Sequence, residues 1–468
     1  MSTMQEPLSI DIFSELLDTV EPYRVDENFT YETTIAIQPS SQHNLNVGGP
    51  IVLQSMYQDG NFLPSESSIT IQGRLVKQDG TVYDDEEVSL VNNAMMYLFS
   101  EAKYHISDTE IESVLELGHT TSLFGYLTLP DDFSTSAGLS RCWSKDTSNN
   151  ANSKKYSASR RVANVAAGLA VPEIVEGFFT PRDNPDYNQG FATRKSFLFS
   201  SNPKGTFEFT IPFSHIFGFS EYNKIIYGVQ QRLTLVRTND NLAIHRVDGA
   251  PVGKVELSNI TWYIPKYQLS TAAALVMSDR SVAKIDLPVY FSARSSRSVN
   301  IPTGTISFEW PVSVSSGLEK PRWVIVALQT GRTSQTETPA VFDNCGLTQA
   351  YLTLNDVRYP GTDVIVDFNR HQYSRLYKMF DDFKKSAYRY DELAGGTQVN
   401  FPAYNSLFPI LVFNIRAQSE VVKTGAIDMR ITLKTAAIPA NTVAYALIIS
   451  DRVFKLTSDG KRISQLVK

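Results

Sequence analysis

TISFEWPVSVSSGLEKPRWVIVALQTGR, which begins at Thr305, leads through PAVFDNCGLTQAYLTLNDVRYP (residues 339–360) to GTDVIVD, which ends at Asp367. Within it, residues 306–310, 323–328 and 350–354 are apolar runs bounded by Gly, Pro, Ser, Thr, Asn or Asp. That grammar predicts buried β-strands joined by turns, and no helical period fits it. The same grammar occurs earlier, where TFEFTIPF (206–213) leads to IIYGVQQRLTLVR (225–237) and then KVELSNITWYIP (254–265). The chain reads as one β-architecture made twice.

Length agrees with two units. A chain of 468 residues exceeds the ~250–300 residues at which single cores stop growing, so two β domains of roughly 200–250 residues are expected. The 26 Phe, 22 Tyr, 25 Gly and 22 Pro suit many short strands and tight turns. Apolar stretches such as 443–449 fall far short of the ~18–20 residues that span a bilayer. The start, MSTMQEPLS, lacks the basic and apolar regions of a secretory signal, so synthesis and folding in the cytosol are expected. The two cysteines, Cys142 and Cys345, stand in unrelated contexts and read as buried reduced thiols. The sequons at Asn28 and Asn259 then carry little meaning. A net charge of −6 and a pI near 5.7 argue against a protein that coats nucleic acid by itself. Residues 145–161 (KDTSNNANSKKYSASRR) form a local basic exception, read as a solvated excursion rather than a phosphate contact.

Taken in order, residues 10–20 (IDIFSELLDTV) place Ile10, Phe13, Leu16, Leu17 and Val20 on one side of a short helix, with Ser9 or Asp11 as cap. This arm has no Lys or Arg on its polar face, so a subunit or partner suits it better than an anionic membrane. Strands are expected at 29–37, 51–53 and 68–75, with an acidic hairpin turning on Asp79-Gly80 across 77–87. Residues 88–106 begin as a short helix carrying Val91, Met95, Leu98 and Phe99 and end as a strand. Residues 110–117 (EIESVLEL) read as a second short helix, and 118–183 as mostly loop that crosses the surface. The strand grammar lapses at 266–283, where an Ala-rich connection separates the halves. The second half opens with IDLPVYFSA (285–293). It carries a helix at 373–390, with Leu376, Phe380 and Phe383 on one face, and returns to strands at 409–415, 426–433 and 443–449. The expected division is therefore an arm (1–27), a first β unit (28–265), a linker (266–284), a second β unit (285–452) and a basic tail (453–468) turning at Asp459-Gly460.

Several motifs resemble a known family. Val91-Asn92-Asn93 with Leu98-Phe99-Ser100, the run from Ile211 to Phe219, Ile226-Tyr227-Gly228, Glu319-Lys320-Pro321-Arg322-Trp323, Phe342-Asp343-Asn344-Cys345, Arg358-Tyr359-Pro360 and Ile449-Ser450-Asp451-Arg452 look like the double jelly-roll major capsid proteins of small eukaryotic double-stranded DNA viruses and virus-like elements, the adintovirus and Polinton/Maverick group. The match runs from about Ser9 to Arg452. It implies an all-β fold of two eight-stranded antiparallel jelly rolls side by side, with short helices in loops. It also implies a homotrimer forming a pseudo-hexameric, hexon-like capsomer, and capsomers tiling an icosahedral virion shell around DNA. Neighbouring capsomers and penton and other minor capsid proteins would be the partners, with DNA contacted indirectly.

Enzyme signatures are missing from the sequence. His43, His105, His119, His215, His245 and His371 occur singly, without HExxH, His-x-His or a nearby Cys, so neither metal nor cofactor is expected. His215, amid aromatics, reads as a structural histidine. The pairs Asp84-Asp85, Asp131-Asp132 and Asp381-Asp382 are sequence neighbours that do not face each other on a strand, and GxSxG and Walker A motifs are absent. The alternative is a carbohydrate-binding or glycoside-cleaving β-sandwich using Trp310 and Trp323 as stacking platforms, although core packing suits both better. No catalytic, cofactor or metal residue is assigned.

Overall fold

The computed structural model describes residues 28–39, 44–55, 60–160, 179–284, 286–312, 320–388, 396–417, 427–457 and 463–465. The amphipathic arm, His43 and the turn at Asp459-Gly460 lie outside them. The first half of the chain contains β1 (Phe29–Ile37), β2 (Gly49–Gln54), β3 (Asn61–Phe62), β4 (Ser68–Lys77) and β5 (Val88–Leu90). It continues through α1 (Ala94–Tyr97), β6 (Phe99–Ile106), β7 (Thr109–Leu115), α2 (Leu117–Thr128), β8 (Tyr156–Arg160), β9 (Phe179–Asp183) and α3 (Gln189–Phe199). Next come β10 (Thr206–Pro212), α4 (Phe213–Ile216), β11 (Ile226–Tyr227), β12 (Gln231–Arg237), β13 (Ile244–Arg246) and β14 (Gly253–Leu269). Helix α5 (Thr271–Val282) links this half to the second, and its residues are largely exposed.

The second half comprises β15 (Leu287–Ile301), β16 (Ser307–Pro311), β17 (Lys320–Thr330), β18 (Leu347–Leu354), β19 (Val357–Tyr359), α6 (Ser374–Tyr388) and α7 (Phe401–Ser406). Strands β20 (Leu411–Asn414), β21 (Met429–Thr435), β22 (Thr442–Leu456) and β23 (Ile463–Gln465) close it. Every strand pairing is antiparallel. In the first half the order β10-β4-β14-β3-β11, with β1 added to β14, faces the order β2-β12-β6-β7. In the second, β15-β22-β17-β20, with β23 added to β22, faces β16-β21-β18-β19. Among the described residues the sheets thus hold six and four strands, and five and four, where two even sets of four were expected; β1 and the two-residue strands β3 and β11 join β10, β4 and β14 in one sheet, and β23 is added to another.

Alternation explains the sandwiches. Strand β10 buries Phe207, Phe209 and Ile211 and exposes Glu208 and Thr210, while β12 buries Leu233 and Leu235. These faces meet around Trp262 to form the first core. Trp310, Trp323, Ile325, Leu352 and Leu447 help build the second. Burial of such faces, at roughly 25 cal/mol per Å² of apolar surface, is what holds each pair of sheets together. Helix α6 closes one end of the second core with Leu376, Phe380 and Phe383 inward, as their spacing required.

Three expectations are corrected. Residues 110–117 are not a helix: β7 pairs with β6, and a bulge opposite Tyr104 and His105 turns both Ile111 and Glu112 inward, which breaks the alternation that would have marked a strand. The stretch from 118 is not mostly loop at its start, because α2 buries eleven of its twelve residues and so shows no amphipathic stripe. Residues 77–87 make a turn at Asp79-Gly80, closed by the Lys77 amide and the Thr81 carbonyl, without forming a two-stranded hairpin.

Candidate assembly site at the junction of the two halves

The two sandwiches are stitched along a buried polar seam. Glu112, turned inward by the bulge in β7, accepts hydrogen bonds from the backbone N–H groups of Gly218 (3.1 Å), Phe219 (2.9 Å) and Arg294 (2.6 Å). Burial pushes its carboxyl above the usual range, and the Arg294 and Arg452 guanidiniums oppose that push. Arg294, on β15 of the second half, donates to the carbonyls of Ser214 and His215 and lies 3.5 Å from the centre of the Phe124 ring. Arg452 donates to the Ile111 carbonyl at 2.5 Å. The Arg294-Ser295-Ser296 segment looks solvent-facing in sequence, yet all three residues are buried by these contacts.

Helix α2 is the second stitch. Leu123, Phe124, Tyr126 and Leu127 belong to the core of the second half although the helix comes from the first. The Tyr126 hydroxyl donates to the Ala340 carbonyl (2.7 Å), and that of Tyr97 to Pro339 (2.8 Å). Trp143 Nε1 donates to Gln398 (3.0 Å). His119 sits 3.0 Å from Gln329 Oε1 and stacks on Tyr445 at 3.9 Å. These contacts pack the two halves into one body, since separating them would exchange each bond for water and expose the apolar side chains of α2.

Asn92, Asn93, His215 and Arg452 carry motifs to this seam, while Arg322 and Asp343 pair within the second half. Asn92 accepts from the Ser144 amide and donates to Tyr126; Asn93 donates to Thr121 and Ser122 and lies 3.1 Å from His215 Nε2. Arg322 of the KPRW segment pairs with Asp451 of ISDR. Asp343 of DNC accepts from the Thr330 amide and from Arg332, each at 2.8 Å. These residues are structural staples.

The groups weighed for chemistry are placed accordingly. Burial lowers His215 to about 3, with Arg294 and Arg141 adding to the shift, and lowers His119 and His245 to about 4. All three are therefore neutral at pH 7. His105 is 3.9 Å from Glu110, and His371 is exposed. Cys142 is pushed up to about 11 by burial, and Cys345 is also raised, so neither is a thiolate nucleophile. Asp381 and Asp382 pair with Lys385 and Lys378 along α6, and Asp84 with Lys204. Trp310 and Trp323 are 7% and 4% exposed, which denies either a stacking face for sugar. Among the described residues no three His, Cys, Asp or Glu side chains gather as a metal site, and no helix is long and apolar enough to cross a membrane.

The basic segment at 145–161 is less free than expected. Lys145 donates to the Gln398 carbonyl, Asp146 is wholly buried against Arg194 (2.6 Å), and Ser153 bonds Glu87. A fully buried ion pair of this kind leaves no mobile cation at its start. Sequence gave no signal for Asp146, Arg194 or Glu112, because a charged residue in a polar run is read as solvated until its partner's position is known.

A cleft of about 470 Å³ lies over the seam beside Trp323, and a second of about 270 Å³ beside Phe124 shares Glu221 and Tyr388 with it. The family model of the double jelly roll-like domain matches residues 185–454, and the chain belongs to that family. Among solved structures, the chain is similar to one from the Sputnik virophage (TM-score 0.51, 10% identity, covering 100% of this chain and 93% of that one). It is also similar to the Faustovirus major capsid protein (TM-score 0.54, 9% identity, covering 94% and 93%). At such identities the likeness is one of fold. No curated protein sequence matches the chain.

Proposed function

We propose that this protein is a viral major capsid protein that trimerises into pseudo-hexameric capsomers and tiles an icosahedral shell around double-stranded DNA. The observation that carries the reading is the seam: two jelly rolls locked side by side by Glu112, Arg294 and α2 make one rigid tile with two similar lobes. Three such tiles around a threefold axis present six lobes to a hexagonal lattice. The full-length likeness to the Faustovirus major capsid protein supports the same reading.

In this reading residues 28–265 and 285–452 are the two rolls, 266–284 joins them, and 1–27 and 453–468 are the N-terminal arm and the C-terminal tail; β14 and β22 overrun the roll boundaries by four residues each, and β23 returns part of the tail to the sheet. The exposed edge strand β1 and the segment Asn184–Gly190 offer contact surfaces for neighbouring capsomers and for penton and minor capsid proteins. The role is structural and not catalytic, with the virion as its place and DNA contacted indirectly. Negative-stain microscopy of the expressed protein tests this: six-lobed plates or closed shells support it, and featureless monomers overturn it.

A further inference from the structure

The chain's negative charge is concentrated at one end. Residues 1–27 hold seven acidic residues (Glu6, Asp11, Glu15, Asp18, Glu21, Asp26 and Glu27) and one basic residue, Arg24, for a net −6. Of the chain's 49 acidic and 43 basic residues, 42 of each remain from residue 28 onward, so the body is formally neutral and the whole net charge belongs to the arm. On a helix over 10–20, Asp11, Glu15 and Asp18 share one face, and Ile10, Phe13, Leu17 and Val20 share the other. Such a segment is too short to hold its helix alone in water and needs a surface that is apolar at its floor and cationic at its rim.

The two clefts over the seam adjoin at Glu221 and Tyr388, whose side chains hydrogen-bond each other (3.4 Å), and together they make a groove of that kind. Apolar side chains line both ends, Phe124 and Leu129 at one and Trp323 and Ala387 at the other, with little of Phe124 (7%) and Trp323 (4%) exposed. Four guanidiniums line it against two carboxylates, Glu221 and Asp451. Arg294 has its partners across the seam, and Arg322 pairs with Asp451. Arg141 has a ring contact with Phe133 (5.1 Å) and no carboxylate among the described residues. Arg416, exposed, lies 5.0 Å from the Trp323 ring and bonds Asn414 and the Ser386 carbonyl, again with no carboxylate among the described residues.

A relay of contacts leads from the start of β1 toward this groove. The Asn28 carbonyl accepts from the Ser270 amide (2.8 Å), and the Phe29 ring meets Tyr267 edge-on. Tyr267 reaches Glu66 (3.2 Å), and the adjoining Ser65 bonds Asn223, two residues from Glu221 (2.9 Å). The tether at 21–27 spans up to ~25 Å when extended. We propose that the acidic N-terminal arm of this chain docks in the arginine-rimmed groove, with its apolar face on the floor between Phe124 and Trp323 and its carboxylates toward Arg141 and Arg416. The docking does not depend on the capsid reading.

The test uses the full-length protein with the photoreactive residue p-benzoylphenylalanine in place of Phe13. After irradiation and digestion, adducts are expected on peptides carrying Phe124–Leu129 or Phe383–Tyr388. They should fall at least tenfold in the double variant Arg141→Glu/Arg416→Glu and return when Glu15→Lys and Asp18→Lys are added. Circular dichroism confirms that the variants fold, and single variants at Arg416, which is exposed, serve if the double variant does not. Adducts on α5 or elsewhere, no adducts at all, or a yield indifferent to charge reversal would each overturn the proposal and leave the groove to an acidic segment of another protein.

Discussion

Glu112→Ala removes a carboxylate that three buried backbone N–H groups and two guanidiniums share. The Gly218, Phe219 and Arg294 amides would lose their acceptor without gaining water, at about 1 kcal/mol or more each. Arg294 and Arg452 would also lose the charge that offsets their own burial, which places the total at about 3–5 kcal/mol. Glu112→Gln keeps one acceptor oxygen and should cost about half as much. Urea unfolding followed by tryptophan fluorescence reads this out, because Trp262 reports the first core and Trp310 and Trp323 the second. The Ala variant should unfold at lower urea and in two resolved steps, as halves no longer stitched together. A single transition displaced by less than about 1 kcal/mol would refute the assignment of Glu112 as the tie between the sandwiches.

Gly218→Ala should fail at the same place from a different cause. Its Cβ would come within 1.8 Å of the Ser292 carbonyl oxygen, a backbone atom of the second half, so soluble yield should collapse; a variant of ordinary thermal stability would contradict the packing. Acid should loosen the fold. His119, His215 and His245 have folded values near 4, 3 and 4, below the ~6.5 of an unfolded chain, so their stabilisation is present above pH 6.5 and lost as pH falls. At pH 5 each withdraws about 2 kcal/mol, and Glu112, whose raised carboxyl works in the opposite direction, offsets part of the sum. Urea midpoints unchanged or rising from pH 7 to pH 5 would contradict this. DNA binding by the isolated protein should be weak and collapse with salt, because the body is formally neutral and its arm acidic; submicromolar affinity at physiological salt in a filter-binding assay would show a basic face that the fold does not reveal.

The sandwiches were legible because their strands alternate or run apolar between turn residues, as in 206–213 and 323–328. Helix α6 was legible because one face is polar. What the sequence concealed was the seam. Helix α2 is covered on nearly all sides, so no stripe distinguishes its faces, and its Gly118 and Gly125 look like loop residues until Tyr97 and Trp143 are seen packed against them. Glu112 is hidden by a bulge, which shifts the alternation by one residue in a strand that otherwise counts as helix-like. Arg294, Ser295 and Ser296 are polar residues buried by the other half, and only the pairing of the halves reveals their partners. Some family motifs, those carrying Asn92, Asn93, His215 and Arg452, fall at the seam, but a motif does not say that Arg322 meets Asp451 across 129 positions of sequence.

In the proposed function this two-lobed chain assembles by threes. Light scattering coupled to gel filtration on the soluble protein at micromolar concentration tests it most directly. A stable particle of three times the 52.3 kDa chain mass is expected. A clean species of one chain mass, with no trimer in any assembled form, would contradict it.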